Sequence, residues 1–135
     1  MTEKKTELLV VDDDQRHRNF LVDLFEGHGY SVRAASDGAE ALDCLEESRP
    51  DAVLLDMVMP RATVDGFAFI SRLRLAKPEV RAVPLVLVSG LGESLSDAID
   101  PKDAETLNIK AVLHKPVDIA ESLRVVRAAT EQRAS

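Results

Sequence analysis

Four short apolar runs in this chain end in residues that can do chemistry. Glu7 to Val11 leads into Asp12-Asp13-Asp14, and Ala52 to Leu55 stops at Asp56, followed by Met57-Val58-Met59-Pro60. Val83 to Val88 ends at Ser89-Gly90, and Ala111 to Leu113 ends at His114-Lys115-Pro116. Taken singly these residues have ordinary explanations: Asp56 as a turn or capping aspartate, Asp12 and Asp13 as helix-cap acids, Ser89 as a turn residue, Lys115 as a solvated base. Gathered in one place they would do something narrower. Three adjacent carboxylates repel one another and need a cation, and a few hard oxygen ligands with room for water suit Mg²⁺ better than zinc or a dedicated calcium cage. A lysine beside them adds positive charge and a serine hydroxyl adds a donor, which together make a phosphoryl-binding pocket. The chain has no GxxxxGK[ST] loop and no GxGxxG after a strand, so a nucleotide is not the expected phosphate carrier. The remaining option is an aspartate that itself accepts the phosphoryl group as a nucleophile.

The elements that must position these residues follow from length and period. The four runs have the length of buried strands, and Ser31 to Ala35 makes another. Between them, Gln15 to His28 carries Phe20, Leu21, Leu24 and Phe25 at helical spacing, with Asp14 as N-cap and Gly29 as the stop. A second helix turns Ala41, Leu42 and Leu45 inward, holds Cys44 at the edge of that face, and ends before Pro50. Asp65 caps a third, with Phe67, Phe69, Ile70 and Leu73 toward the sheet and Arg72, Arg74 and Lys77 toward water. Leu91 to Ile99 is polar without a firm period. Asp100-Pro101-Lys102-Asp103 starts a short helix to about Asn108, and a last helix from about Asp118 to Thr130 turns Leu123 and Val126 inward before a frayed tail. Five strands alternating with five helices predict an α/β fold: a five-stranded parallel sheet in a three-layer α/β/α sandwich, doubly wound and flavodoxin-like. With strand order 2-1-3-4-5, the crevice between the first and third strands would gather Asp12, Asp13 and Asp56, with Ser89 and Lys115 arriving from the neighbouring strand ends.

Composition bounds the partners. The 135 residues, 45% of them apolar, suit one domain, 1–135, with a core of about 7–130. A formal charge of -7 with no basic stripe argues against direct nucleic-acid or anionic-membrane binding. No apolar run approaches a membrane span, and Met1 to Thr6 lacks the apolar core of a signal peptide. The single cysteine, Cys44, excludes an internal disulfide and fits a reducing cytoplasm. His17, His28 and His114 have no zinc spacing, and His17 and His114 read as surface or rim residues.

From Leu8 to about Arg127 the chain resembles the receiver domain of two-component response regulators. The resemblance rests on Leu9-Val10-Val11-Asp12-Asp13-Asp14, on Asp56-Met57-Val58-Met59-Pro60 with Asp65-Gly66, on Val88-Ser89-Gly90 and on Lys115-Pro116. It implies that Asp56 takes a phosphoryl group from a phosphohistidine on a sensor histidine kinase or histidine phosphotransfer protein and passes the signal to a downstream protein target. It further implies that Asp13 and Asp56 ligate Mg²⁺ directly, with the backbone carbonyl of Val58 as third ligand and Asp12 acting through water. Lys115 would pair with one phosphoryl oxygen and Ser89 would donate to another, and Lys115-Pro116 would be a cis peptide. Such a domain catalyses its own phosphotransfer and dephosphorylation and is not a turnover enzyme.

The chain departs from the family pattern at two points. Arg61, Ala62, Thr63 and Val64 stand between Pro60 and Asp65 where the family usually has two residues, so Arg61 or Thr63 is expected at the pocket rim. Val112 occupies the position three before the lysine where an aromatic usually swings; valine has no ring to move, so the rearrangement is expected in residues 90–108. Two other readings stand beside this one. An aspartyl-nucleophile phosphohydrolase would share the Asp12-Asp13-Asp14 run, but Arg16 stands where Thr or Val is usual, and a docking module would leave the acidic site unused.

Overall fold

The computed structural model describes residues 4–90 and 99–134. Its strands are β1 (Glu7–Val11), β2 (Ser31–Ala35), β3 (Ala52–Asp56), β4 (Leu85–Ser89) and β5 (Ile109–His114). The helices are α1 (Gln15–Glu26), α2 (Gly38–Glu47), α3 (Gly66–Leu73), α4 (Pro78–Arg81), α5 (Pro101–Thr106) and α6 (Ile119–Ala134). All strand pairs are parallel and the sheet order is β2-β1-β3-β4-β5, as the sequence predicts.

Strand alternation divides the core into two layers. Leu9, Val11, Val53, Leu55, Leu85 and Leu87 face one side, where they pack with Ala41 and Leu45 of α2 and Phe69, Ile70 and Leu73 of α3. Leu8, Val10, Leu54, Val86 and Val88 face the other, against Leu21 and Phe25 of α1 and Val126 and Ala129 of α6. Both faces are covered, which is why β3 and β4 tolerate no polar residue before their last position. The helix starts are set by aspartates: Asp14, Asp37, Asp65 and Asp100 each accept a backbone N–H of the first turn.

Four expectations need correction. Phe20 does not join the core but is 47% exposed, because Leu21 and Phe25 set the buried stripe and Phe20 lies about 100° around the helix from Leu21. Arg74 is not simply solvated: it is half-buried, with Nη1 3.5 Å from the buried Asp103 carboxylate on α5. The segment after Thr130 continues as helix to Ala134 instead of fraying. A one-turn helix, α4, fills the connection before β4, started by Pro78. The polar stretch from Leu91 lies, for residues 91–98, outside the described residues.

Candidate functional site

Residues leaving the carboxyl ends of β1 and β3 emerge side by side, since Val11 and Leu55 are register partners across the sheet. Asp12 and Asp56 are therefore both buried at the sheet's edge, while Asp13 is half-buried. Carboxylate oxygens of Asp12, Asp13 and Asp56 lie within 4.8 Å of one another. On the far side, Ser89 is the register partner of His114, and the Lys115 N–H donates to the Ser89 carbonyl at 2.9 Å. The cis Lys115-Pro116 peptide follows, and Lys115 Nζ reaches back to donate to Asp56 Oδ2 at 3.0 Å. The Val58 N–H donates to the other oxygen, Oδ1, at 3.3 Å. Burial pushes the Asp56 carboxyl above the usual range, and the Lys115 ammonium partly offsets this by favouring the carboxylate.

Gly66 is what allows β3 to end here. A Cβ on it would stand 2.5 Å from Met57 Cα and 2.7 Å from the Asp56 carbonyl oxygen, so the start of α3 can lie against the turn after Asp56 only without a side chain. The loop before it is fastened at both ends. The Arg61 N–H donates to Asp13 Oδ2 at 2.9 Å, and the carbonyl of the buried Val64 accepts from the Gly38 N–H at 2.7 Å.

These residues enclose a cavity of about 580 Å³ lined by Asp12, Asp13, Asp14, Asp56, Lys115 and Val58, among others. Of the residues expected at the rim, Arg61 lines it and the exposed Thr63 does not. Ser89 is fully buried at the end of β4 and is not part of the cavity wall. Asp14 is the α1 cap, accepting from the Arg16 and His17 N–H groups, and those backbone donors hold its carboxyl below the usual range.

Three features were not anticipated. Phe20 lines the cavity instead of the core. It is the backbone of Arg61 that touches an acid of the site, through its N–H to Asp13. His17, read as a rim residue, turns its Nδ1 to the Asp12 carboxylate, which raises the imidazole pKa. The signal for His17 was available: with Asp14 as N-cap, position 17 is the third of the first turn and faces back over the residues that enter the helix.

The donor set fits a small hard cation. Every group in it is a carboxylate oxygen, and three carboxylates against one lysine leave the site two negative charges in excess.

The chain is similar to known proteins in sequence and in fold. The family model of the response regulator receiver domain matches residues 8–127. Response regulator MprA of Mycobacterium sp. (strain KMS) is 38% identical over 121 residues, covering 90% of this chain and 49% of that protein. MprA of Mycobacterium avium (strain 104) is 37% identical over the same length. This chain thus spans about half the length of the curated relatives it matches. Among solved structures, the Francisella response regulator 1452 receiver domain superposes with a TM-score of 0.78 at 25% identity, over 95% of this chain and 98% of that one. Chemotaxis response regulator CheY4 of Vibrio cholerae has a TM-score of 0.77 over 93% of this chain and 99% of its own, and at 22% identity that likeness is one of fold. A family model that spans nearly the whole chain, and relatives that share over a third of its residues, agree with the acidic crevice: the chain belongs to the response regulator receiver domain family of two-component systems.

Proposed function

We propose that Asp56 is the phosphoacceptor, taking a phosphoryl group from a phosphohistidine in a Mg²⁺-dependent reaction, with Asp12, Asp13, Asp56 and the Val58 carbonyl holding the ion. Receiver domains of this family are phosphorylated by histidine kinases and are generally not turnover enzymes. For this chain the donor would be a sensor histidine kinase or a histidine phosphotransfer protein, and the reader a downstream protein target in the cytoplasm. Residues 1–135 would act as one receiver domain with its core at about 7–130. No helix among the described residues is long and apolar enough to cross a membrane.

One observation carries the reading: three carboxylates within 4.8 Å, with a lysine ammonium 3.0 Å from the one that ends β3. Mg²⁺ bound there would neutralise carboxylate charge and polarise the phosphoryl oxygens. An oxygen of Asp56 attacks phosphorus, the P–N bond to the donor imidazole breaks, and the imidazole leaves with a proton while an acyl phosphate forms on Asp56. Lys115 must release Asp56 Oδ2 and transfer its ammonium to a phosphoryl oxygen. Ser89 then turns its hydroxyl toward another, and that movement at the end of β4 starts the conformational relay. Neither the phosphohydrolase nor the docking-only reading is favoured by the family match.

The test is direct. Incubated with Mg²⁺ and a small-molecule phosphodonor, the protein should gain one phosphoryl group by intact mass, base-labile and lost on adding a chelator before the donor. Label that persists in Asp56→Asn refutes the assignment.

A further inference from the structure

Asp12 is the most tightly held of the three acids. Its N–H donates to the Ala35 carbonyl at 3.1 Å, and its own carbonyl accepts from Arg18 Nη1 at 2.7 Å. Its Oδ1 accepts from the Asp14 N–H at 2.9 Å, and its Oδ2 from His17 Nδ1. An ionised carboxylate can only accept, so the Nδ1 of His17 carries the shared hydrogen. His17 is itself placed by the cap, since its N–H lies 3.4 Å from Asp14 Oδ1. The first turns of α1 therefore return donors to Asp12, and His17 is the one that engages the second carboxylate oxygen. The family pattern quoted above assigns no role to this position.

We propose that His17 is a positioning residue: its Nδ1–H fixes the Asp12 carboxylate in the orientation Asp12 needs as the outer acid of the Mg²⁺ site. The inference rests on the metal reading given above. An acid free to rotate must be ordered when the ion and its waters arrive, and a partner that orders it beforehand removes that cost. Both Asp12 oxygens keep a free lone pair for metal-bound water, so the His17 contact orients the acid without consuming it.

The experiment is calorimetric titration of the unphosphorylated protein with Mg²⁺ at fixed pH, for the native chain, His17→Ala, His17→Asn and Asp13→Asn, each with a urea unfolding curve. Outer-sphere partners of metal ligands are typically worth about 10- to 100-fold in affinity, so His17→Ala should bind Mg²⁺ about tenfold more weakly. His17→Asn places an amide N–H where Nδ1 stands and should restore affinity to within about threefold of native. Because asparagine carries no charge, this rescue separates a positioning donor from a charge effect. The inference is overturned if His17→Ala binds as tightly as native, or if His17→Asn binds as weakly as His17→Ala. Binding abolished by Asp13→Asn but indifferent to position 17 overturns this inference alone; a native protein that binds no Mg²⁺ removes the metal reading and this inference with it.

Discussion

Substituting Gly66 by alanine tests the geometry of the turn after Asp56, the proposed phosphoacceptor, most directly. The new Cβ would lie 2.5 Å from Met57 Cα, 2.7 Å from the Asp56 oxygen and 3.0 Å from the Met57 oxygen. Carbon pairs prefer about 3.5–4.0 Å, so about 1 Å of movement is required, and each close neighbour is backbone and not a flexible side-chain tip. The Gly66 N–H also bonds the Met57 carbonyl at 3.2 Å, so α3 cannot lift away without losing that bond. The displacement must pass into Asp56 and Met57. Overpacking of this kind typically costs about 1–3 kcal/mol of stability. A nucleophile moved by about 1 Å can lose about 100-fold in rate, or about 2.7 kcal/mol of activation free energy. Gly66→Ala should therefore lower the urea midpoint and slow Asp56 phosphorylation by about two orders of magnitude in an intact-mass time course with a small phosphodonor. Gly90→Ala is the stability control, since among the described residues a Cβ there meets only Lys115 Cδ at 4.0 Å, and its midpoint should stay near native. A Gly66→Ala protein with both native rate and native midpoint would refute the argument.

Three further outcomes follow from other parts of the molecule. Deleting Ala62 and Thr63 restores the family spacing, but the bonds from Arg61 to Asp13 and from Gly38 to Val64 cannot then both persist. A hydrogen bond to a charged group is worth about 1.5–3 kcal/mol, so phosphorylation or hydrolysis should change by about tenfold or more, and unchanged rates would remove any role for the loop. Arg74→Ala withdraws the cation facing Asp103, whose Oδ1 has no hydrogen bond among the described residues. Because Arg74 is 35% exposed and the pair is 3.5 Å long, the loss should be about 1 kcal/mol in urea unfolding. Adding Asp103→Asn should recover part of it, and a native midpoint for Arg74→Ala alone would discredit the pair. Tyr30, the one tyrosine in a chain without tryptophan, has its pKa raised above 10.0, chiefly by burial. The folded state then retains the proton longer than the unfolded chain does. Tyr30's contribution to stability is full below pH 10.0 and is lost as pH rises through the folded value. Phenolate absorbance of the native protein should therefore titrate later than in urea, and coincident curves would contradict it.

The elements were legible because their signals are local. β1 and β2 have the predicted limits, and β3 ends at Asp56, since an apolar run closed by an aspartate or a turn can be little else in a sheet covered on both faces. Three of the four capping aspartates, Asp14, Asp65 and Asp100, were legible for the same reason, a cap being read within three residues; Asp37 was not, since Asp37-Gly38 reads equally as a turn. The convergence of Asp12, Asp13, Asp56 and Lys115 required one further step, the strand order, and parallel crossover rules leave few orders to choose among.

Contacts that depend on which way a long or planar side chain turns were not legible. Helical spacing put Phe20 beside Leu21 and Phe25 but could not show that the stripe had room only for the latter two. Basic residues on α3 look alike in sequence, yet α5 brings Asp103 within reach of Arg74 alone among them. His17 reads in sequence only as a surface or rim residue, because its partner lies across the bend where β1 becomes α1, not along one helix face. Asp12 is tied to α1 through His17, Asp13 to the longer loop through Arg61, and Asp56 to the end of β5 through Lys115. Each acid of the site is thus fastened to a different segment, so a substitution in α1, in the longer loop or after β5 reaches a different acid.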